Sequence, residues 1–207
     1  MGVAALSPDR RKTWLMVTVS TGSASSTLRV HAWRKLRSLG ARYLHNSVAV
    51  LPERPETVRA VNRLVDRVRR EGGQASTWTI ELTDPAQQRE LIDGFQAERS
   101  DEYHEVCDRV PAFLAEIEQE RALGRTTYAE VEESEADLDR LRTWLARVQA
   151  RDYFSAPGAV EAAAAVERCA EALAAFEADA LQAEAPEPGL DHRADTKPKL
   201  RSVRGAG

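Results

Sequence analysis

TWLMVTVSTGSASSTLRVHAWRKLRSLGARYLHNSVAVLPERPETVRAVNRLVDRVRREGGQASTWTIEL, residues 13–82, is the stretch on which the fold turns. It opens on an apolar run, Trp14–Val19, whose near-continuous hydrophobicity fits a central strand covered on one face by helices. The small polar loop TGSASS follows, and Ser25 or Ser26 is placed to cap a helix. Leu28, Ala32, Leu36 and Leu39 then recur every three or four positions, which puts them on one helical face. Gly40 ends that helix, because glycine takes positive φ without steric cost. Arg42–His45 and Ser47–Leu51 read as short strands around Asn46-Ser47, asparagine being tolerant of left-handed backbone. Pro52 and Pro55 close the hairpin, and Glu56 begins a second helix with Val58, Val61, Leu64, Val65 and Val68 inward. Gly72-Gly73 stops it, and Ala75–Leu82 alternates as a strand with Trp78, Ile80 and Leu82 on one side. The order β-α-β-β-α-β predicts a ferredoxin-like domain over residues 13–82.

From Asp84 the apolar period lengthens from 2 to about 3.6. Asp84-Pro85 is a helix start, and Leu91, Ile92, Phe95, Tyr103, Val106, Val110, Phe113, Leu114 and Ile117 continue the pattern, with Pro111 kinking or dividing it. Past Gly124 a second helix carries Val131, Leu138, Leu141, Leu145 and Val148 as a heptad-like line, and Ala156-Pro157-Gly158 breaks it. A third, from about Gly158 to Leu181, turns Val166, Ala170, Leu173, Phe176 and Ala180 inward. The expected class is therefore α+β: a disordered lead (1–12), the ferredoxin-like βαββαβ domain (13–82), an antiparallel three-helix segment (83–182) and a disordered tail (183–207).

The net charge of −4 conceals a division. Residues 1–82 carry 14 Lys/Arg against 6 Asp/Glu, whereas residues 83–183 carry 10 against 23. Such asymmetry reads as a basic contact surface on the front part, as two solvated surfaces that merely differ, or as two surfaces that attract each other. Two lines of arginine concentrate the positive charge. Arg29, Trp33 and Arg37 stand at i, i+4, i+8 beside the apolar face of the first helix, with Arg34 and Lys35 elsewhere on it. Arg59, Arg63, Arg67 and Arg70 form a stripe about three turns long on the second. The arginines read as phosphate contacts or as a solvated face. Trp33 reads as a core side chain, or as an indole flanked by guanidinium groups in the same binding line.

Catalytic and metal motifs are not found. There is no GxSxG, Walker loop, GxGxxG or HExxH, and no CxxC or Cys/His cluster. His104 and Asp108 lie one helical turn apart among carboxylates, a spacing that suits a surface ion pair better than a metal site. Cys107 and Cys169 read as quiet buried thiols. The apolar run at the front is far shorter than the roughly 20 residues of a membrane span, and no secretory signal is evident. The expectation is a cytoplasmic, non-enzymatic protein with no cofactor, no bound metal and no membrane contact.

Several segments carry a family resemblance: WLMVTVS, RVHAWRKLRSLGA, NSVAVLP, the stretch from Ala136 to Phe154, and VERCAEALAAFE. Arg29, Val30, Trp33, Arg34, Leu36, Leu39, Gly40 and Ala41 are its most specific piece, and Arg151-Asp152-Tyr153-Phe154 is the second. Over residues 13–180 the chain resembles the N-terminal domain of the chromate-resistance protein ChrB. The resemblance implies a DNA-binding regulator of a chromate-efflux operon. Relatives join this domain to a second one held to sense chromate, which this chain, ending in a tail at 207, is expected to lack. The first 80 residues are also similar to the central domain of PaaX-type repressors, itself similar to a small CRISPR-adaptation nuclease fold. Those nucleases place an Asp at the end of the first strand, where this chain reads Val19-Ser20-Thr21-Gly22, so the likeness implies no nuclease activity. Two readings follow: a regulator that contacts DNA through the two arginine lines, or an interaction module that forms a homodimer or docks a separately encoded sensor domain.

Overall fold

The computed structural model describes residues 13–21, 26–125 and 127–184. The predicted lead, Ser25 and the tail beyond 184 lie outside the described residues. The chain builds β1 (Thr13–Ser20), α1 (Ser26–Ser38), β2 (Arg42–His45), β3 (Val48–Pro52), α2 (Pro55–Arg70) and β4 (Gln74–Glu81). Four helices follow: α3 (Pro85–Cys107), α4 (Val110–Ala122), α5 (Tyr128–Gln149) and α6 (Ala159–Glu184).

The strands form one antiparallel sheet in the order β2-β3-β1-β4. β1 lies along β4 from Thr13↔Glu81 to Ser20↔Gln74, and along β3 from Trp14↔Pro52 to Thr18↔Val48. Alternation along β1 sends Leu15 and Val17 to one face, where α1 and α2 lie side by side over Leu28, Ala32, Leu36, Val61, Leu64, Val65 and Val68. Trp14 goes to the other face and meets Val50, Leu91 and Phe95. This explains the unbroken apolar run of β1. The strand is roofed on both faces at its Trp14 end, not on one face only, because α3 covers the side opposite α1 and α2.

The hairpin departs from expectation in detail. Its turn is Asn46-Ser47, but Ser155 is the one non-glycine residue with positive φ among those described, so Asn46 does not use left-handed backbone. A register shift between Tyr43 and His45 adds a residue to β2 instead, and the bulge supplies the bend.

The helical part has four helices where three were expected. Pro111 lies in the first turn of α4, a position that tolerates its missing N–H, and α3 stops at Cys107. The line Val131, Leu138, Leu141, Leu145 and Val148 is fully inward and packs on Val166, Cys169, Leu173, Phe176 and Ala180 of α6. Ala170 and Cys107 are half-buried at the edge of this core, and burial pushes both cysteine thiols up. α3 serves two cores: Leu91 and Phe95 cover the sheet, while Tyr103 and Val106 enter the helical core. α5 ends at Gln149, before the expected break at Ala156-Pro157-Gly158. Residues 150–158 return to the sheet as an irregular segment, with Ser155 at φ 55° and Gly158 at φ 91°.

Candidate nucleic-acid interface

Burial of Leu28, Ala32 and Leu36 on α1, and of Ala60, Val61, Leu64, Val65 and Val68 on α2, fixes which sides of the two helices face water. All nine residues of the predicted lines are exposed: Arg29, Trp33, Arg34, Lys35 and Arg37 on α1, and Arg59, Arg63, Arg67 and Arg70 on α2. α2 is anchored at its start by Thr57, whose buried hydroxyl accepts from the Arg54 backbone N–H at 3.0 Å and donates to the Pro52 carbonyl at 2.8 Å. At its end the Arg69 Nε donates to the Ala75 carbonyl at 2.9 Å. Arg67 joins the helices: its Nη1 donates to His31 Nε2 at 3.1 Å, and its Nε binds Glu71 at 2.7 Å. Because a guanidinium can only donate, His31 Nε2 is the acceptor in this contact.

Trp33 is not a core residue. It is 46% exposed, because Ala32 and Leu36 occupy the sheet-facing direction and turn the indole onto the helix flank. Arg37 lies over its ring, with the guanidinium carbon 5.1 Å from the centroid.

The nine residues do not form one surface. Arg29, Trp33 and Arg37 edge a cleft of about 1200 Å³ whose far wall is Glu98, Asp101, Glu102 and Glu105 of α3. Arg29 Nε donates to the buried Thr21 hydroxyl at 3.1 Å in that cleft. Arg34 and Arg67 instead share a shallow groove between α1 and α2. By helical spacing, Arg59, Arg63 and Arg70 lie on the side of α2 opposite its buried valines.

Sequence reading missed the cluster beneath the cleft. Arg42 binds Glu98 at 2.7 Å, Arg151 binds Glu102 at 2.8 Å, and Arg99 sits between them, 3.1 Å from Glu102 and 3.8 Å from Glu98. Three guanidinium groups thus share two carboxylates. Arg99 is only 6% exposed: its Nη2 donates to Glu102 at 3.2 Å, its Nε lies 3.1 Å from the same carboxylate without hydrogen-bond alignment, and its Nη1 has no hydrogen-bond partner. Nothing in the local pattern of α3 distinguishes Arg99 from a surface arginine; only its place on the Phe95–Tyr103 face hinted at burial.

The Arg151–Phe154 segment, noted in sequence only as a family feature, has a role for every member. Tyr153 donates to the Leu39 carbonyl, its own carbonyl accepts from Arg54 Nη2 at 3.1 Å, and the Arg54 guanidinium lies 4.8 Å from its ring centre. Asp152 accepts from the Tyr103 hydroxyl at 3.2 Å and from the Ala156 N–H at 3.0 Å. Phe154 packs 5.7 Å from Trp14 and 5.4 Å from Phe95. Burial, followed by the nearby Asp152 carboxylate, pushes Tyr103 up to about 12.

His104 is exposed on α3, and no group of three His, Cys, Asp or Glu is placed to hold a metal among the described residues. No helix there is long and apolar enough to cross a membrane.

These features define an α+β protein in which two cationic helices on one sheet face are latched to an acid-rich helical body. The chain belongs to the family described as Protein ChrB, N-terminal, whose model matches residues 29–186. That span contains all nine residues of the arginine lines and the whole 151–154 segment. Protein ChrB of Cupriavidus metallidurans is similar at 30% identity over 101 residues, which cover 49% of this chain and 31% of that protein. No solved structure matches.

Proposed function

We propose that this protein is a non-enzymatic regulator of chromate resistance that binds DNA through the outward faces of α1 and α2. The observation that carries the reading is the exposure of Arg34, Arg59, Arg63, Arg67 and Arg70 on two neighbouring helices. The acid-rich α3 roofs the opposite sheet face and does not cover them. We also read the β2-β3-β1-β4 order, with α1 and α2 on one face, as the ferredoxin-like arrangement. Guanidinium groups on such a surface bind phosphate oxygens, which sets affinity and register but reads no sequence.

The test is binding to DNA from upstream of the gene, followed by fluorescence anisotropy across a salt series. Neutralising five phosphates gives a log–log salt slope of about −4.5. The triple variant Arg59→Ala, Arg63→Ala, Arg70→Ala flattens that slope by about 3. Absence of a complex at low salt overturns the reading.

A further inference from the structure

We propose that the cleft between α1 and α3 is the contact face of a symmetric dimer. In it each copy sets its basic α1 wall against the acidic α3 wall of a second copy of this chain.

The cleft has the composition of an interface. Val30, Trp33 and Leu44, three large apolar side chains exposed by 41%, 46% and 45%, all line it. Clustered apolar exposure marks contact surfaces, and a tryptophan beside an arginine is typical of their energetic centres. The cleft also runs along β2, which pairs with β3 on one side and ends the sheet on the other. An unpaired strand edge of this kind favours association.

The charges select the occupant. Arg29 and Arg37 stand on one wall, and Glu98, Asp101, Glu102 and Glu105 on the other. Glu98 and Glu102 are occupied by the buried arginines, whereas Asp101 and Glu105 are exposed and have no ion-pair partner among the described residues. A polyanion is repelled by the α3 wall, and a cationic partner by the α1 wall. A surface with both signs side by side complements itself under a twofold rotation, since residue i then meets j and j meets i. Arg59, Arg63 and Arg70 do not line this cleft, so the pairing leaves them open to other contacts.

The test is the mass of the full chain in solution by light scattering at low and high salt. The expected result is twice the 22.9 kDa chain at low salt, shifting toward one chain as salt screens the walls. Two double variants follow, Arg29→Glu with Arg37→Glu, and Asp101→Arg with Glu105→Arg. Each sets like charges against each other and should be a monomer, while circular dichroism reports the fold retained. Mixing the two variants restores opposite signs at both contacts and should return a heterodimer. Overturning results are a monomeric native chain, double variants that stay dimeric, or a mixture that stays monomeric. If the double variants lose their fold, Trp33→Ala replaces them, and an undiminished dimer in that variant overturns the proposal.

Discussion

The hydroxyl of Tyr153 donates a 2.6 Å hydrogen bond to the carbonyl of Leu39, 114 positions earlier in the chain. The acceptor belongs to the residue that directly follows α1, in the turn Leu39-Gly40 that closes the helix, where carbonyls have no partner within the helix. A side chain from the segment after α5 thus finishes a helix of the sheet unit. Tyr153→Phe keeps the ring and its contact with Arg54 but leaves that carbonyl unbonded. Urea denaturation should show a loss of about 1 kcal/mol. An unchanged midpoint would mean that the bond contributes nothing net.

Alkaline titration offers a second check. Tyr103 is held protonated up to about 12, against an ordinary value of 10.0, chiefly by burial and then by Asp152. Above pH 10 the unfolded chain releases this proton while the folded chain keeps it, so the folded state binds more protons. Stability is then complete below pH 10 and declines as pH rises toward about 12. Tyr103→Phe should lower stability at neutral pH and flatten this decline, measured by chemical denaturation at a series of pH values.

Two glycines separate conformational strain from crowding. Gly40 has φ 71°, and a Cβ there would lie 2.8 Å from Arg151 Cβ. Gly124 has a similar φ of 66°, with nothing within 4 Å of a built Cβ. Gly124→Ala should cost only the left-handed backbone penalty, about 1 kcal/mol. Gly40→Ala should cost about 1–2 kcal/mol more, because it also pushes Arg151 away from Glu102. Equal losses in thermal unfolding would exclude the steric part.

The arginine cluster predicts an unequal pair of substitutions. Removing Arg99 leaves Arg42 on Glu98 and Arg151 on Glu102, one cation to each carboxylate. Arg99→Met should therefore change stability by about 1 kcal/mol or less, an apolar chain filling much of the same volume. Glu102→Gln leaves three cations facing one carboxylate and should cost about 3 kcal/mol. The reverse ranking in denaturant midpoints would contradict this account.

Much of the fold was readable because it rests on local periodicity. Leu28, Ala32 and Leu36, or Val131, Leu138 and Leu145, announce a buried helical face by spacing alone, and burial followed. Pro111 announced a division whose consequence was a fourth helix. Trp33 was legible only as two alternatives, a core side chain or an indole flanked by guanidinium groups, and its position one residue beyond Ala32 decided against the core. The lines of Arg29 to Arg37 and of Arg59 to Arg70 were legible as patterns, but not their separation. Whether two helices present one surface or two depends on what packs beside them. The acidic wall facing Arg29 comes from α3, some 70 residues away in sequence. Arg99 and the 151–154 latch were opaque for the same reason, their partners being supplied by distant elements.

Because α3 holds Phe95 under the sheet and Tyr103 in the helical core, about 12 Å apart along one rigid rod, the molecule resists dissection. A fragment cut after β4 would leave Trp14 and Val50 bare to water and would lose the aromatic pair Phe95 and Phe154 that shelters them. Fusions, split reporters and minimal truncations should therefore carry the chain through α6, joining tags outside residues 13–184 and never at the seam between sheet and helices.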